Sequence, residues 1–131
     1  MSYTTQMDAA RQGIITPEMK AVAASEHIAE DELRELIALG QVIIPANKNH
    51  KCLKPNGIGS RLRTKINVNL GTSRDWTDLD MEMEKVKSAV DMGAEAIMDL
   101  SSCGDTQKFR RKLTSECPAT IGTVPVSYTH L

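Results

Sequence analysis

The 131 residues predict an α/β fold, in which N-terminal helices and a short strand lead into the first βαβαβ units of an incomplete (β/α)8 barrel. Three observations carry that expectation. A strand, loop, capped-helix pattern occurs twice between Lys65 and Val124 and closes on a third strand, which calls for parallel strands with right-handed crossovers. The strands bring polar residues toward their C-terminal ends: Asn67 and Asn69 on the first, Asp99, Ser101 and Ser102 on the second, Thr123 on the third. The Gly-x-Gly-x-x-Gly of a doubly wound nucleotide-binding sheet is missing, the position after the first strand reading Gly71-Thr-Ser-Arg-Asp-Trp76. A whole barrel takes about 250 residues, so three strands are only its opening. The organisation expected is a helical region with a basic loop over 1–64, the start of the barrel over 65–126, and a tail over 127–131.

In order along the chain, Thr16-Pro17-Glu18 predicts a helix start: a hydroxyl cap, a proline where its missing N–H costs nothing, and an acid at the positive end of the dipole. The next helix begins near Ala29, places Ala29, Leu33, Leu36 and Ile37 on one face and stops at Gly40. Val42-Ile43-Ile44 is a brief strand ended by Pro45, and residues 45–65 read as a long structured loop rich in Asn, Gly, Pro and cations. Lys65 to Leu70 is the first barrel strand. A helix capped through Thr77-x-x-Asp80 follows, with Leu79, Met83, Val86 and Val90 inward and Gly93 as its stop. Ala96 to Leu100 is the second strand. Asp105 caps a helix running through Phe109 and Leu113, and Thr120 to Val124 is the third strand.

Composition narrows the function classes. Apolar residues make up 40% of the chain and charged residues 25%, which suits a packed globular protein. Sixteen Lys and Arg against 17 Asp and Glu give a net charge of −1, removing a global electrostatic case for nucleic acid or an anionic membrane. Four aromatics leave no base-stacking platform. The one cationic region is the stretch between Glu35 and Asp75, with Lys48, Lys51, Lys54, Arg61, Arg63, Lys65 and Arg74 and no acid; a solvated loop balanced by acidic helices and a phosphate-binding surface are both compatible with it. Cys52, Cys103 and Cys117 form no Cys-x-x-Cys pair and read as reduced thiols. With neither a signal segment nor an apolar run of membrane length, the expectation is a cytoplasmic protein.

Among the chemistry-bearing residues, strand alternation puts Ile66, Val68 and Leu70 under the helices and Lys65, Asn67 and Asn69 on the opposite face. Asn69, nearest the C-terminal rim, can offer an amide donor and a carbonyl acceptor to a heterocycle or ribose edge, or be satisfied by neighbouring strands. Asp99 can serve as a base, a ligand-orienting acceptor or an electrostatic partner of Lys65. His50 has no second ligand at metal spacing and is read as a loop histidine bonded to backbone. Cys103 lies at a strand-to-helix turn without an evident basic partner. Met81, Met83, Met92 and Met98 are read mostly as packing in a core short of aromatics. No catalytic or metal-ligating residue stands out from chemistry alone.

A set of ordered motifs resembles a known family. They are Val42-Ile-Ile-Pro-Ala-Asn-x-Asn-His50, Gly57-Ile-Gly59, Leu62-Arg-Thr-Lys-x-Asn-x-Asn-x-Gly-Thr-Ser73, Met98-Asp-Leu-Ser101 and Gly122-Thr-Val-Pro125, preceded by Arg11-x-Gly-Ile-Ile-Thr-Pro-Glu-Met19 and Leu33-Arg-Glu-Leu-Ile37. Together they resemble the phosphomethylpyrimidine synthases, the ThiC family of thiamine biosynthesis, over nearly everything up to Pro125. The resemblance implies a radical S-adenosylmethionine lyase that converts 5-aminoimidazole ribotide to 4-amino-5-hydroxymethyl-2-methylpyrimidine phosphate. It also implies a 4Fe-4S cluster, zinc and a homodimer in the full-length protein. Substrate contacts carried over residue by residue fall on Asn69 and Met98; chemistry alone would have favoured Asp99 or Ser101 over Met98. The family's Ile-Tyr-Gln after Gly-Thr-Val-Pro is replaced by Val126-Ser127, with Tyr128 one position out of register and on the opposite strand face. The cluster cysteines and zinc histidines have no match here, so the chain is expected to be an N-terminal fragment, inactive alone, ending in non-native residues 127–131. A non-catalytic half-barrel that completes its sheet with a partner chain is the competing expectation.

Overall fold

The computed structural model describes residues 2–124. Tyr128, the 127–131 segment, Pro125 of the last motif and the end of the 65–126 span lie outside the described residues. The chain divides into two compact units, one of residues 1–46 and 55–64, the other of 47–54 and 65 onward, so the basic stretch is shared between them.

The first unit holds helices α1 (Gln6–Arg11), α2 (Pro17–Glu26) and α3 (Glu30–Ala38) and the strands β1 (Val42–Ile43) and β2 (Ile58–Gly59), which pair antiparallel with Val42 opposite Gly59. Thr16 caps α2 by accepting from the Met19 amide at 3.2 Å, with Pro17 as the first helical residue. α3 buries Leu33, Leu36 and Ile37 but leaves Ala29 exposed. Ala29 is its cap residue and offers no side-chain acceptor, so Glu30, Asp31 and Glu32 in the first turn complement the dipole instead. Gly40, at φ 74°, ends it. Ala9, Ala10, Met19, Val22, Leu33, Ile37 and Val42 form the core, each at most 1% exposed.

Two elements of this unit were not expected. α1 has six residues, too few for a hydrophobic period to register, and rests on a local exchange: Thr5 Oγ1 accepts from the Asp8 amide at 3.1 Å while Asp8 accepts from the Thr4 amide at 3.0 Å. β2 lies inside the stretch read as loop. Arg61, from the same stretch, ion-pairs with Glu32.

In the second unit, β3 (Asn67–Leu70), α4 (Leu79–Asp91), β4 (Ala96–Asp99), α5 (Thr106–Glu116) and β5 (Thr120–Thr123) form the expected βαβαβ arrangement. The strands are parallel in the order β3-β4-β5, with Asn69 beside Met98 and Met98 beside Gly122. Leu70, Ile97, Met83, Val86, Ala89, Phe109 and Leu113 make the core between helices and sheet, joined by half-buried Val68, Leu79, Val90 and Ile121. Burying a Leu, Ile or Phe side chain of this kind contributes about 1.5–3 kcal/mol. Asp105 caps α5, accepting from the Lys108 amide at 3.0 Å. The α4 cap is one residue later than expected: Asp78, not Thr77, accepts from the Asp80 and Met81 amides at 3.1 and 3.0 Å.

The 47–54 segment is fastened to the end of α5. The buried His50 ring donates through Nε2 to the Cys117 carbonyl at 2.6 Å, which is the backbone bond expected for that histidine. The Lys54 amide donates to the Pro118 carbonyl at 2.9 Å, and the Cys52 thiol lies 3.2 Å from the Cys117 carbonyl oxygen. Burial pushes the Cys117 thiol up from its ordinary range.

Candidate functional site

The three parallel strands have two unlike faces. Val68, Leu70, Ile97 and Ile121 point into the helix-packed core. Alternation therefore puts Asn67 and Asn69 of β3, Ala96 and Met98 of β4, and Thr120 and Gly122 of β5 on the other face. The asparagines are exposed there and the other four are half-buried. Asn69 and Met98 are register partners on adjacent strands, so the two residues singled out by resemblance come side by side. Gly122 leaves room for the Met98 thioether: a Cβ at Gly122 would come within 2.9 Å of Met98 Cε and 3.1 Å of its sulfur. An amide beside a polarisable thioether makes a surface suited to a flat, partly polar heterocycle.

Asp99 does not share that face. It is fully buried on the helix side of β4, where the Arg110 Nε donates to Oδ2 at 2.7 Å and the Ser101 amide donates to Oδ1 at 2.9 Å. Of the three roles weighed for Asp99, structural pairing holds, but its partner is Arg110 rather than Lys65. Neither of the two residues that chemistry alone favoured over Met98 lies open on that face, Asp99 and Ser101 both being buried. Asp99 follows Met98 directly, so the pleat turns it to the opposite side. Ser101 is buried and its hydroxyl accepts from the Thr72 amide at 3.1 Å.

The loops at the C-terminal ends of β3 and β4 are tied to one another. The Leu100 amide donates to the Leu70 carbonyl at 2.7 Å and the Ser102 amide to the Thr72 carbonyl at 3.0 Å, and Thr72 Oγ1 donates to the Cys103 carbonyl. Gly71, at φ 150°, is where the two loops come closest: a Cβ there would lie 2.4 Å from the Ser101 nitrogen, which no side chain can survive. The Gly71 amide donates to Glu82 Oε2 at 2.9 Å, and Glu82, fully buried on α4, is neutralised by Lys85. Cys103 thus takes part through its carbonyl, and Met83 is a core residue while Met81 and Met92 are exposed.

Reasoning from sequence missed Glu82, Arg110 and the space reserved by Gly122. An acid at the position after Met81 on an otherwise amphipathic helix looks like surface, and only the close approach of Gly71 gives it a buried donor. Gly122 stood inside a motif, but its use depends on which residue of β4 lies beside it.

Among the described residues no three His, Cys, Asp or Glu side chains gather where they could hold a metal ion. An iron-sulfur cluster or a zinc ion therefore does not fit on them. No helix of the described residues is long and apolar enough to cross a membrane.

Comparison with known proteins matches residues 5–131 to the Radical SAM ThiC family. Phosphomethylpyrimidine synthases of Clostridioides difficile and Alkaliphilus oremlandii are 63% and 64% identical over 126 residues, and that of Clostridium botulinum strain 657 is 61% identical over the same length. The aligned stretch is 96% of this chain and 29% of each relative, so the chain spans less than a third of the length of the curated relatives it matches. With nearly every described residue inside the match, the chain belongs to the Radical SAM ThiC family.

Proposed function

We propose that this chain forms the N-terminal region and the first three strands of the (β/α)8 barrel of a phosphomethylpyrimidine synthase. In that protein the Asn69 and Met98 face receives 5-aminoimidazole ribotide for conversion to 4-amino-5-hydroxymethyl-2-methylpyrimidine phosphate in thiamine biosynthesis. The single observation supporting this is the register that sets Asn69 beside Met98 on the face away from the helices, with Gly122 leaving the thioether its space. S-adenosylmethionine and a 4Fe-4S cluster supply the radical chemistry when bound. Because the described residues offer no cluster of ligands, the metal sites are assigned to the remainder of the longer protein. The residues here bind and orient: Asn69 by hydrogen bonding, Met98 by contact with the ring.

The test is a chimera in which residues 5–124 of this chain replace the matching stretch of the full-length Clostridioides difficile relative. After anaerobic reconstitution with iron and sulfide, the chimera is expected to form 5'-deoxyadenosine and the pyrimidine phosphate, and the 131-residue chain treated alike to form neither. Asn69→Ala in the chimera should weaken substrate binding by about 1–3 kcal/mol, the range for leaving a polar partner unsatisfied. Unchanged affinity and turnover in Asn69→Ala would overturn the assignment of this face, and 5'-deoxyadenosine from the chain alone would overturn the assignment of the metal sites.

A further inference from the structure

We infer that Asn67 is a positioning residue that fixes which end of the Asn69 amide meets the ligand, so that Asn69 recognises a hydrogen-bond acceptor. The inference rests on the reading of the Asn69 face given above and goes on to name the ligand chemistry that face selects.

A primary amide has one accepting end and one donating end, and a half-turn about the last side-chain bond exchanges them. On an isolated strand both orientations of an exposed asparagine are open. Here residues 67 and 69 are two apart on β3 and so project from the same face. The Asn67 Nδ2 donates to Asn69 Oδ1 at 2.9 Å. That bond engages one of the two lone pairs of the Asn69 carbonyl and turns the Asn69 Nδ2 away from Asn67, and among the described residues no further side-chain hydrogen bond reaches that Nδ2. What remains is a pair of N–H donors on an exposed side chain beside Met98. The complementary ligand atom is a ring nitrogen bearing no hydrogen, or a ribose or phosphate oxygen. An exocyclic amine or a ring N–H presented at the same place would meet donors with a donor and be rejected.

The pair also explains why two asparagines serve here rather than one. Asn67 does not need to touch the ligand to matter, because a held amide has already given up the rotational freedom that binding would otherwise take from it.

Four variants of the chimera, each checked for native circular dichroism, distinguish this from a structural role. In Asn67→Ala the Asn69 amide is no longer held, and KM for the imidazole ribotide should rise about two- to fivefold. In Asn67→Asp the new carboxylate can only accept, so the Asn69 amide turns its donors inward and its carbonyl toward the ligand. KM should then rise about tenfold or more, close to the effect of Asn69→Ala. On the Asn69→Ala background, Asn67→Asp should add nothing, since the residue acts through Asn69. That double variant separates reorientation from simple repulsion between a carboxylate and the substrate phosphate, which would persist without Asn69. The inference is overturned if Asn67→Asp is no worse than Asn67→Ala, or if its effect is undiminished on the Asn69→Ala background. If Asn69→Ala alone leaves KM unchanged, it is the assignment of the face that fails. A raised KM in Asn69→Ala with silent Asn67 variants defeats only the positioning role.

Discussion

Removing the Asp99 carboxylate leaves the Arg110 guanidinium in a largely buried place with no anion and strips the Ser101 amide of its acceptor. Asp99→Ala should therefore destabilise the second unit by about 3 kcal/mol, measured as a lower urea midpoint, because breaking a buried pair abandons a desolvated charge. Removal of both partners, Asp99→Leu with Arg110→Met, should recover much of the loss. A destabilisation under 1 kcal/mol for Asp99→Ala would mean that the pair contributes as little as an exposed one. The roles of Asp99 and Met98 show where sequence stops being legible at this scale. A carboxylate at the end of an apolar strand and a methionine just before it invite placing the acid on the open face, since chemistry ranks the acid as the more reactive group. Which of two consecutive residues lies on the open face depends on the phase of the pleat relative to the helices. That phase was readable on β3, where Val68 and Leu70 alternate with Asn67 and Asn69. It was not readable on β4, where Ala96, Ile97 and Met98 are all apolar.

At the scale of elements, caps decide boundaries that periodicity leaves open. Asp78→Ala should cost about 1 kcal/mol of stability, while Thr77→Ala should stay within about 0.5 kcal/mol, since only Asp78 accepts from the first turn of α4. Equal losses at the two positions would contradict the cap geometry. Helix α1 has its own electrostatic signature. Hydrogen bonds from Gln12 and from the Thr4 amide hold the Asp8 carboxyl below its ordinary value of 3.8. A depressed folded pKa means that the ionised form is the one bound, so this support is present above pH 3.8 and disappears as pH falls through the lower folded value. The acid limb of a stability-against-pH curve should therefore be shallower in Asp8→Asn than in the parent; superimposable limbs would remove the role. The longer elements were legible because each joins a cap to an apolar stripe, as Asp105, Phe109 and Leu113 do in α5. α1 and β2 escaped because six and two residues carry no period, and their cause is tertiary or strictly local.

At the scale of the whole molecule, the parallel sheet has β3 and β5 as its outer strands among the described residues, and each presents an unpaired row of backbone groups. Ile66 at 61% exposure and Met92 at 82% lie among the residues of an apolar groove of about 520 Å³ along β3 and α4. Open edges of this kind promote association. Sedimentation of the 131-residue chain should show mass rising with concentration, and Ile66→Lys should suppress the rise by placing a charge beside the edge strand. Mass independent of concentration would show the edge to be harmless. The βαβαβ order was legible as a whole because its pattern repeats, whereas the division of the basic loop was not: His50 and Cys117 lie 67 positions apart, and nothing local announces their bond. That bond has a consequence for anyone wishing to cut the molecule in two. The polypeptide works like a running stitch, passing from the first unit into the second at residue 47, back at 55 and across again at 65. A single proteolytic nick severs one pass and leaves two. Expression from residue 65 onward would discard the thread that closes the end of α5, leaving the Cys117 and Pro118 carbonyls without the donors they now have.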